Sequence, residues 1–140
     1  MYLLDTDHMS LLERGGAEGE TLRIRLRSIP PDDAATTIIS YEEQTRGWLA
    51  RIARAKTAKG QVALYRQLRR QLANYCQITI ADFDERAASE FERLRRSRIR
   101  LGAMDLKIAA IALAQDATLL SRNLSDFGRV PELRVEDWTV

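Results

Sequence analysis

The sequence predicts one α/β domain over residues 1–140, a three-layer α/β/α sandwich around a central, mainly parallel sheet of four to five strands. Three observations predict it. Short apolar or β-branched runs alternate with helix-like stretches from end to end, as in sheets whose parallel strands are joined by helical crossovers. A chain of 140 residues has the size of one domain and can bury a core without disulfides or structural metal. No linker, repeat or low-complexity segment divides it.

Tyr2-Leu3-Leu4 is a short apolar run and reads as a buried strand. It ends in Asp5-Thr6-Asp7, whose side chains suit the cap of a helix carrying Met9, Leu11 and Leu12, with Asp7 the expected cap. Leu22, Ile24, Leu26 and Ile29 lie in a basic amphipathic stretch closed by Pro30-Pro31. Ala34 to Ile39, with Thr36-Thr37-Ile38-Ile39, is the β-branched second strand. Ser40-Tyr41-Glu42-Glu43 has the form of a capping box and opens a helix through about residue 55.

A basic helix over about 57–74 follows, with Val62, Leu64, Leu68 and Leu72 expected on its inner face. Cys76 to Ile80 makes the third strand, and Asp82 and Glu85 cap a helix carrying Ala87, Phe91 and Leu94. After Gly102 comes an alanine-rich helix from Met104 to about Gln115. Ala117 to Ser121 is the fourth strand, and Arg134-Val135 is placed as a fifth.

Cys76 is the single cysteine, which excludes an internal disulfide and every multi-cysteine zinc site. No apolar run approaches the roughly 20 residues of a membrane helix. The start of the chain lacks the basic region and long apolar core of a secretion signal, so a cytoplasmic location is expected.

The net charge of +2 hides a separation. Residues 1–20 carry −4, residues 21–100 carry +8, and residues 101–140 carry −2. From Gln44 to Ala81 there is no acid against eight bases, mostly arginine. Such a stretch is either a solvated helical face or a surface for a polyanion, because arginine forks match phosphate oxygens.

In open α/β sheets the ligand site lies beyond the carboxyl ends of the strands. Asp5 ends the first strand, where an unpaired buried carboxylate would be costly. Glu42 and Glu43 follow the second strand, and residue chemistry leaves these two evenly matched. Asp105 opens the alanine-rich helix and shares a wheel face with Ala109 and Ala112. Asn123 and Asp126 follow the fourth strand. Gathered acids oppose folding unless a cation sits among them, and all-oxygen ligands select Mg²⁺ or Mn²⁺ over zinc. His8, the only histidine, has no serine, cysteine or second histidine partner nearby in sequence and reads as structural.

These residues resemble the PIN-domain family, particularly the VapC-type toxins of bacterial toxin–antitoxin pairs. The resemblance covers nearly the whole chain. It rests on Tyr2-Leu3-Leu4-Asp5-Thr6-Asp7, on Glu43-Gln44-Thr45-Arg46-Gly47, and on the blocks Met104 to Ala110, Leu119 to Phe127 and Val130 to Trp138. It implies a PIN-like fold and a Mg²⁺- or Mn²⁺-dependent endoribonuclease that arrests growth, with an RNA substrate, a neutralising antitoxin partner and a homodimer. By position, Asp5 matches the first metal-binding acid, Asp105 the third, and Glu43 the second, since the family glutamate stands four residues before a glycine, here Gly47.

At the fourth position the chain departs from the family. Asn123, an amide, stands there, with Asp126 three residues later as a substitute. Arg46, Arg51 and Arg54 are expected to track the RNA backbone. Competing readings are a non-toxin PIN-type nuclease, an RNA-binding module with weak or lost catalysis, and a phosphoacceptor domain. That last class needs a lysine after its final core strand, where this chain has Ser121-Arg122-Asn123.

Overall fold

The computed structural model describes residues 1–140. Five strands, β1 (Tyr2–Leu4), β2 (Ala34–Thr37), β3 (Thr79–Ala81), β4 (Thr118–Leu120) and β5 (Arg134–Glu136), form one sheet in the order β3-β2-β1-β4-β5. Every pairing is parallel, as the alternation of strands and helices predicts. The seven helices are α1 (Thr6–Arg14), α2 (Gly16–Arg27), α3 (Ile38–Arg54), α4 (Ala58–Tyr75), α5 (Glu85–Arg96), α6 (Ala103–Ala114) and α7 (Leu124–Phe127).

Alternation along the strands creates the two outer layers. Leu3, Ala35 and Leu119 face a core completed by α5, α6 and Phe127. Leu4 and Leu120 face the other way, into a cluster with Met9, Leu22, Tyr75 and Trp138. Gly15 and Gly16, at φ of 75° and 80°, break α1 from α2 in a backbone conformation that side-chain-bearing residues rarely adopt. The two helices then pack so closely that a Cβ on Gly19 would lie 2.5 Å from the Leu11 carbonyl oxygen. No helix is long and apolar enough to cross a membrane.

Several boundaries differ from the sequence expectation, each for a physical reason. Ile38 and Ile39 are β-branched yet helical, because pairing ends at Leu4↔Thr36 on one side and Thr37↔Ala81 on the other. The cap of α3 is therefore Thr37, whose hydroxyl accepts the Ser40 N–H at 3.1 Å, and no capping box forms from Ser40 to Glu43. Cys76 closes α4 and is exposed, so β3 starts later than expected. Asp84, rather than Asp82, caps α5 by accepting the Ala87 N–H at 2.9 Å.

Helix α4 departs most. Its inner line runs through Leu64, Leu68, Gln71 and Tyr75, while Val62 and Leu72 are exposed. Polar anchors pull that face inward: Gln71 donates to Thr45 at 2.7 Å and Tyr75 donates to Gln44 Oε1 at 2.7 Å.

Candidate active site

The switch point of the sheet lies between β1 and β4, and the chain leaves both strands carrying polar groups. Asp5 follows β1 and is only 6% exposed. Its Oδ1 caps α1 by accepting the His8 N–H at 2.8 Å, so the cap falls to Asp5 and not to Asp7. No protein hydrogen bond engages Oδ2. Asp7 instead binds Arg122 through both carboxylate oxygens, at 2.6 and 2.9 Å, and the same guanidinium reaches Glu18 at 2.9 Å.

His8 is fully buried. Its Nδ1 stands 3.3 Å from Asp5 Oδ1, and its Nε2 accepts the Trp138 backbone N–H at 3.4 Å. It joins the first turn of α1 to the C-terminal segment, a structural position.

A ladder of hydroxyls connects β2, α3 and α1. Thr37 Oγ1 lies 3.2 Å from Ser40 Oγ, and Thr6 Oγ1 lies 3.2 Å from Ser40 Oγ and donates to Glu43 Oε1 at 2.6 Å. Thr37 and Ser40 are fully buried. The sequence reading missed Thr6 and Ser40 as supports of this edge. The signal was present in Thr37, Ser40 and Glu43, which repeat every third residue and so fall along one side of a helix. The same geometry separates the two glutamates. Glu43 turns to Thr6, whereas Glu42 pairs with Arg46 on the surface.

Asp105 stands in the first turn of α6, a helix buried almost all round from Leu106 to Ala114. Its wheel face therefore did not distinguish it; its electrostatics do. Burial pushes the Asp105 carboxyl above the usual carboxylate range, and the charges of Glu43, Asp5 and Asp126 push it further. Asp5, Glu43, Asp105 and Asp126 thus share one electrostatic neighbourhood at the strand ends. Asn123 belongs to it as well, donating from Nδ2 to Asp126 Oδ2 at 3.0 Å, which leaves its carbonyl oxygen free.

The three arginines expected on RNA are brought together only in part, since Arg51 and Arg54, three residues apart, share a side of α3 that Arg46 does not share with Arg51. Arg46 is paired with Glu42, Arg51 sits over the Trp48 ring at 5.0 Å, and Arg54 lies exposed in the last turn of α3. Five residues separate Arg46 from Arg51, which turns them to different sides of the helix.

No three of the acidic, histidine or cysteine side chains, as placed, close into a group that could hold an ion. The donor set nevertheless fits a hard divalent cation. All its members are oxygens, Asp5 has one carboxylate oxygen free, and the mutual repulsion felt at Asp105 is what a cation relieves.

A PIN domain model matches residues 2–133. Ribonuclease VapC2 of Rickettsia felis is 34% identical over 65 residues, 44% of this chain and 48% of that protein, so the match spans about half its length. Among solved structures, DNA-bound VapBC from Salmonella typhimurium superposes with a TM-score of 0.80 at 23% identity, covering 98% of this chain and 97% of that one. VapBC-1 from nontypeable Haemophilus influenzae gives a TM-score of 0.78 at 21% identity, covering 99% and 98%. These two likenesses concern the fold. The family match takes in four of the five strands and all the acids at their ends, and on it the chain belongs to the PIN-domain family.

Proposed function

We infer that this chain is a metal-dependent endoribonuclease and the toxin of a toxin–antitoxin pair, acting in the cytoplasm. One observation carries the reading. Burial, and then the charges of Glu43, Asp5 and Asp126 from other pieces of chain, push the Asp105 carboxyl above its usual range. Perturbed carboxylates of this kind cluster at functional sites, which supports the reading.

Asp5 through Oδ2 and Asp105 would hold a Mg²⁺ or Mn²⁺ ion, with Glu43 a third ligand, directly or through water, and Asn123 Oδ1 and Asp126 completing the shell. When bound, such an ion supplies Lewis-acid activation of water and stabilises charge at the scissile phosphate. Glu43 has its own task. Thr6 occupies its Oε1, so Oε2 remains to accept a proton from the attacking water and to orient it. The buried hydroxyl ladder fixes that carboxylate before substrate arrives.

The partner reading follows the VapBC pairs, in which the related fold is found with an antitoxin. A neutralising protein and a second copy of the chain both need apolar surface, and Val62, Tyr65 and Leu72 expose it along a groove of about 760 Å³ between α3 and α4. An RNA-binding module with weak catalysis is the second reading, favoured by the amide at position 123.

Cleavage of a mixed RNA pool with Mg²⁺ or Mn²⁺, with EDTA, and with Asp5→Asn and Asp105→Asn tests the activity. Cutting that needs the ion and both carboxylates supports the nuclease. Cutting that persists in EDTA or in both variants refutes the mechanism, and binding without turnover in either ion supports the second reading.

A further inference from the structure

Beyond the acids, a polar cavity lies on the seam of α1, α3 and α4. It encloses about 560 Å³, within the roughly 300–1,000 Å³ of small-ligand pockets. Arg14 from α1, Arg51 from α3 and Arg70 from α4 line it, together with Trp48, Gln44 and Gln67. Seven other arginines of the chain are paired with carboxylates. These three are among the twelve of nineteen that have no such partner within ion-pair distance, and here they line one cavity. Convergent, unpaired guanidinium groups suit an anion, and their planar forks suit phosphate.

Two acids also line the cavity. Asp7 is already held by Arg122. Glu13 is half-buried; burial pushes its carboxyl above the usual range, while Asn74 and the Arg70 charge pull it back, so Glu13 offsets part of the charge of Arg70. Trp48 supplies a different chemistry. Its ring carries the Arg51 guanidinium at 5.0 Å, a flat aromatic and cationic platform of the kind on which unpaired bases stack.

Position joins this cavity to the acids. Thr6 meets Glu43 at the acid cluster, and one helical turn further along α1, Ser10 Oγ accepts from Nε2 of Gln44, the next residue of α3, at 2.8 Å on the cavity wall. A strand lying over the acids and following this seam reaches the cavity within one or two nucleotides.

We propose that the α1/α3/α4 cavity is a nucleotide subsite for single-stranded RNA, in which an unstacked base lies on Trp48 and its flanking phosphates meet Arg14, Arg51 and Arg70. The proposal rests on the ribonuclease reading and deepens it. Of the three arginines expected on RNA, it retains Arg51, sets aside Arg46 and Arg54, and adds Arg14 and Arg70. Specificity then lies in which base the cavity admits near the cut.

The test is fluorescence anisotropy with single-stranded RNA 12-mers in EDTA, where no cutting occurs, each carrying one abasic site at a successive position. Wild type should show one position at which losing the base weakens binding by about tenfold. Trp48→Ala should bind about tenfold more weakly and lose that position, and Trp48→Phe should restore both. Arg14→Ala, on a side chain exposed enough to spare the fold, should lower the salt slope by about 0.7, the share of one single-strand phosphate contact. If Trp48→Ala and Arg14→Ala bind RNA as wild type does while wild type cuts RNA with Mg²⁺, the subsite is wrong and the nuclease reading stands. If the variants spare RNA and lose antitoxin binding, the cavity belongs to the protein partner and the proposal falls. If wild type binds no RNA, both readings fail.

Discussion

Thr6 and Glu43 are joined by a hydroxyl–carboxylate hydrogen bond of 2.6 Å between the first turn of α1 and the second turn of α3. Hydrogen bonds to ionised groups are worth roughly 1.5–3 kcal/mol, and this one also fixes which carboxylate oxygen stays free. Thr6→Val keeps the shape and removes the donor. RNA cleavage should fall by roughly tenfold or more at saturating substrate, with Thr6→Ser close to wild type, as single-turnover rates would record.

Asp105 holds its proton more tightly in the fold than its ordinary value of 3.8, first through burial and then through Glu43, Asp5 and Asp126. The native state therefore binds more protons here than the unfolded chain, and stability drops as pH rises from 3.8 through the raised value. Asp105→Asn removes that penalty. Thermal melts at neutral pH should show a more stable variant, with the advantage shrinking as pH falls toward 4 while cleavage is abolished.

Tyr75, Gln44 and Ser10 link α4, α3 and α1 through two hydrogen bonds, at 2.7 and 2.8 Å. Tyr75→Phe leaves the Gln44 oxygen without its donor beside a buried ring. Urea titration should report a loss of about 1 kcal/mol with an unchanged slope.

Leu72 is 54% exposed on the outer side of α4. Leu72→Glu should move the melting midpoint little, within about 0.5 kcal/mol, because no core contact is lost. Under the partner reading it should weaken association with the antitoxin or with a second copy, measurable by analytical ultracentrifugation.

The strands were legible because their apolar and β-branched runs are short and bounded. Asp5 stood out because an unpaired carboxylate directly after such a run would be costly, although its Oδ1 also serves as the cap of α1. The start of α3 was not, since Ile38 and Ile39 suit either state and only the neighbours of β2 decide where pairing stops. The inward face of α4 was hidden too, because Gln71 and Tyr75 are drawn inward by partners on α3 that are 26 and 31 residues away in sequence. The Thr6–Glu43 bond spans 37 residues, and no local pattern announces it. Asn123 and Asp126 were both legible as polar residues after the fourth strand, but their pairing became visible only in three dimensions.

The central claim is that the acids at the strand ends form a divalent-cation site. Direct titration of Mn²⁺ into wild type, Asp5→Asn and Asp105→Asn, followed by calorimetry, tests it without depending on any RNA. The account predicts saturable binding by wild type, weakened at least tenfold in each variant although both remain folded. Equal Mn²⁺ binding by all three proteins, or none by wild type, would contradict it.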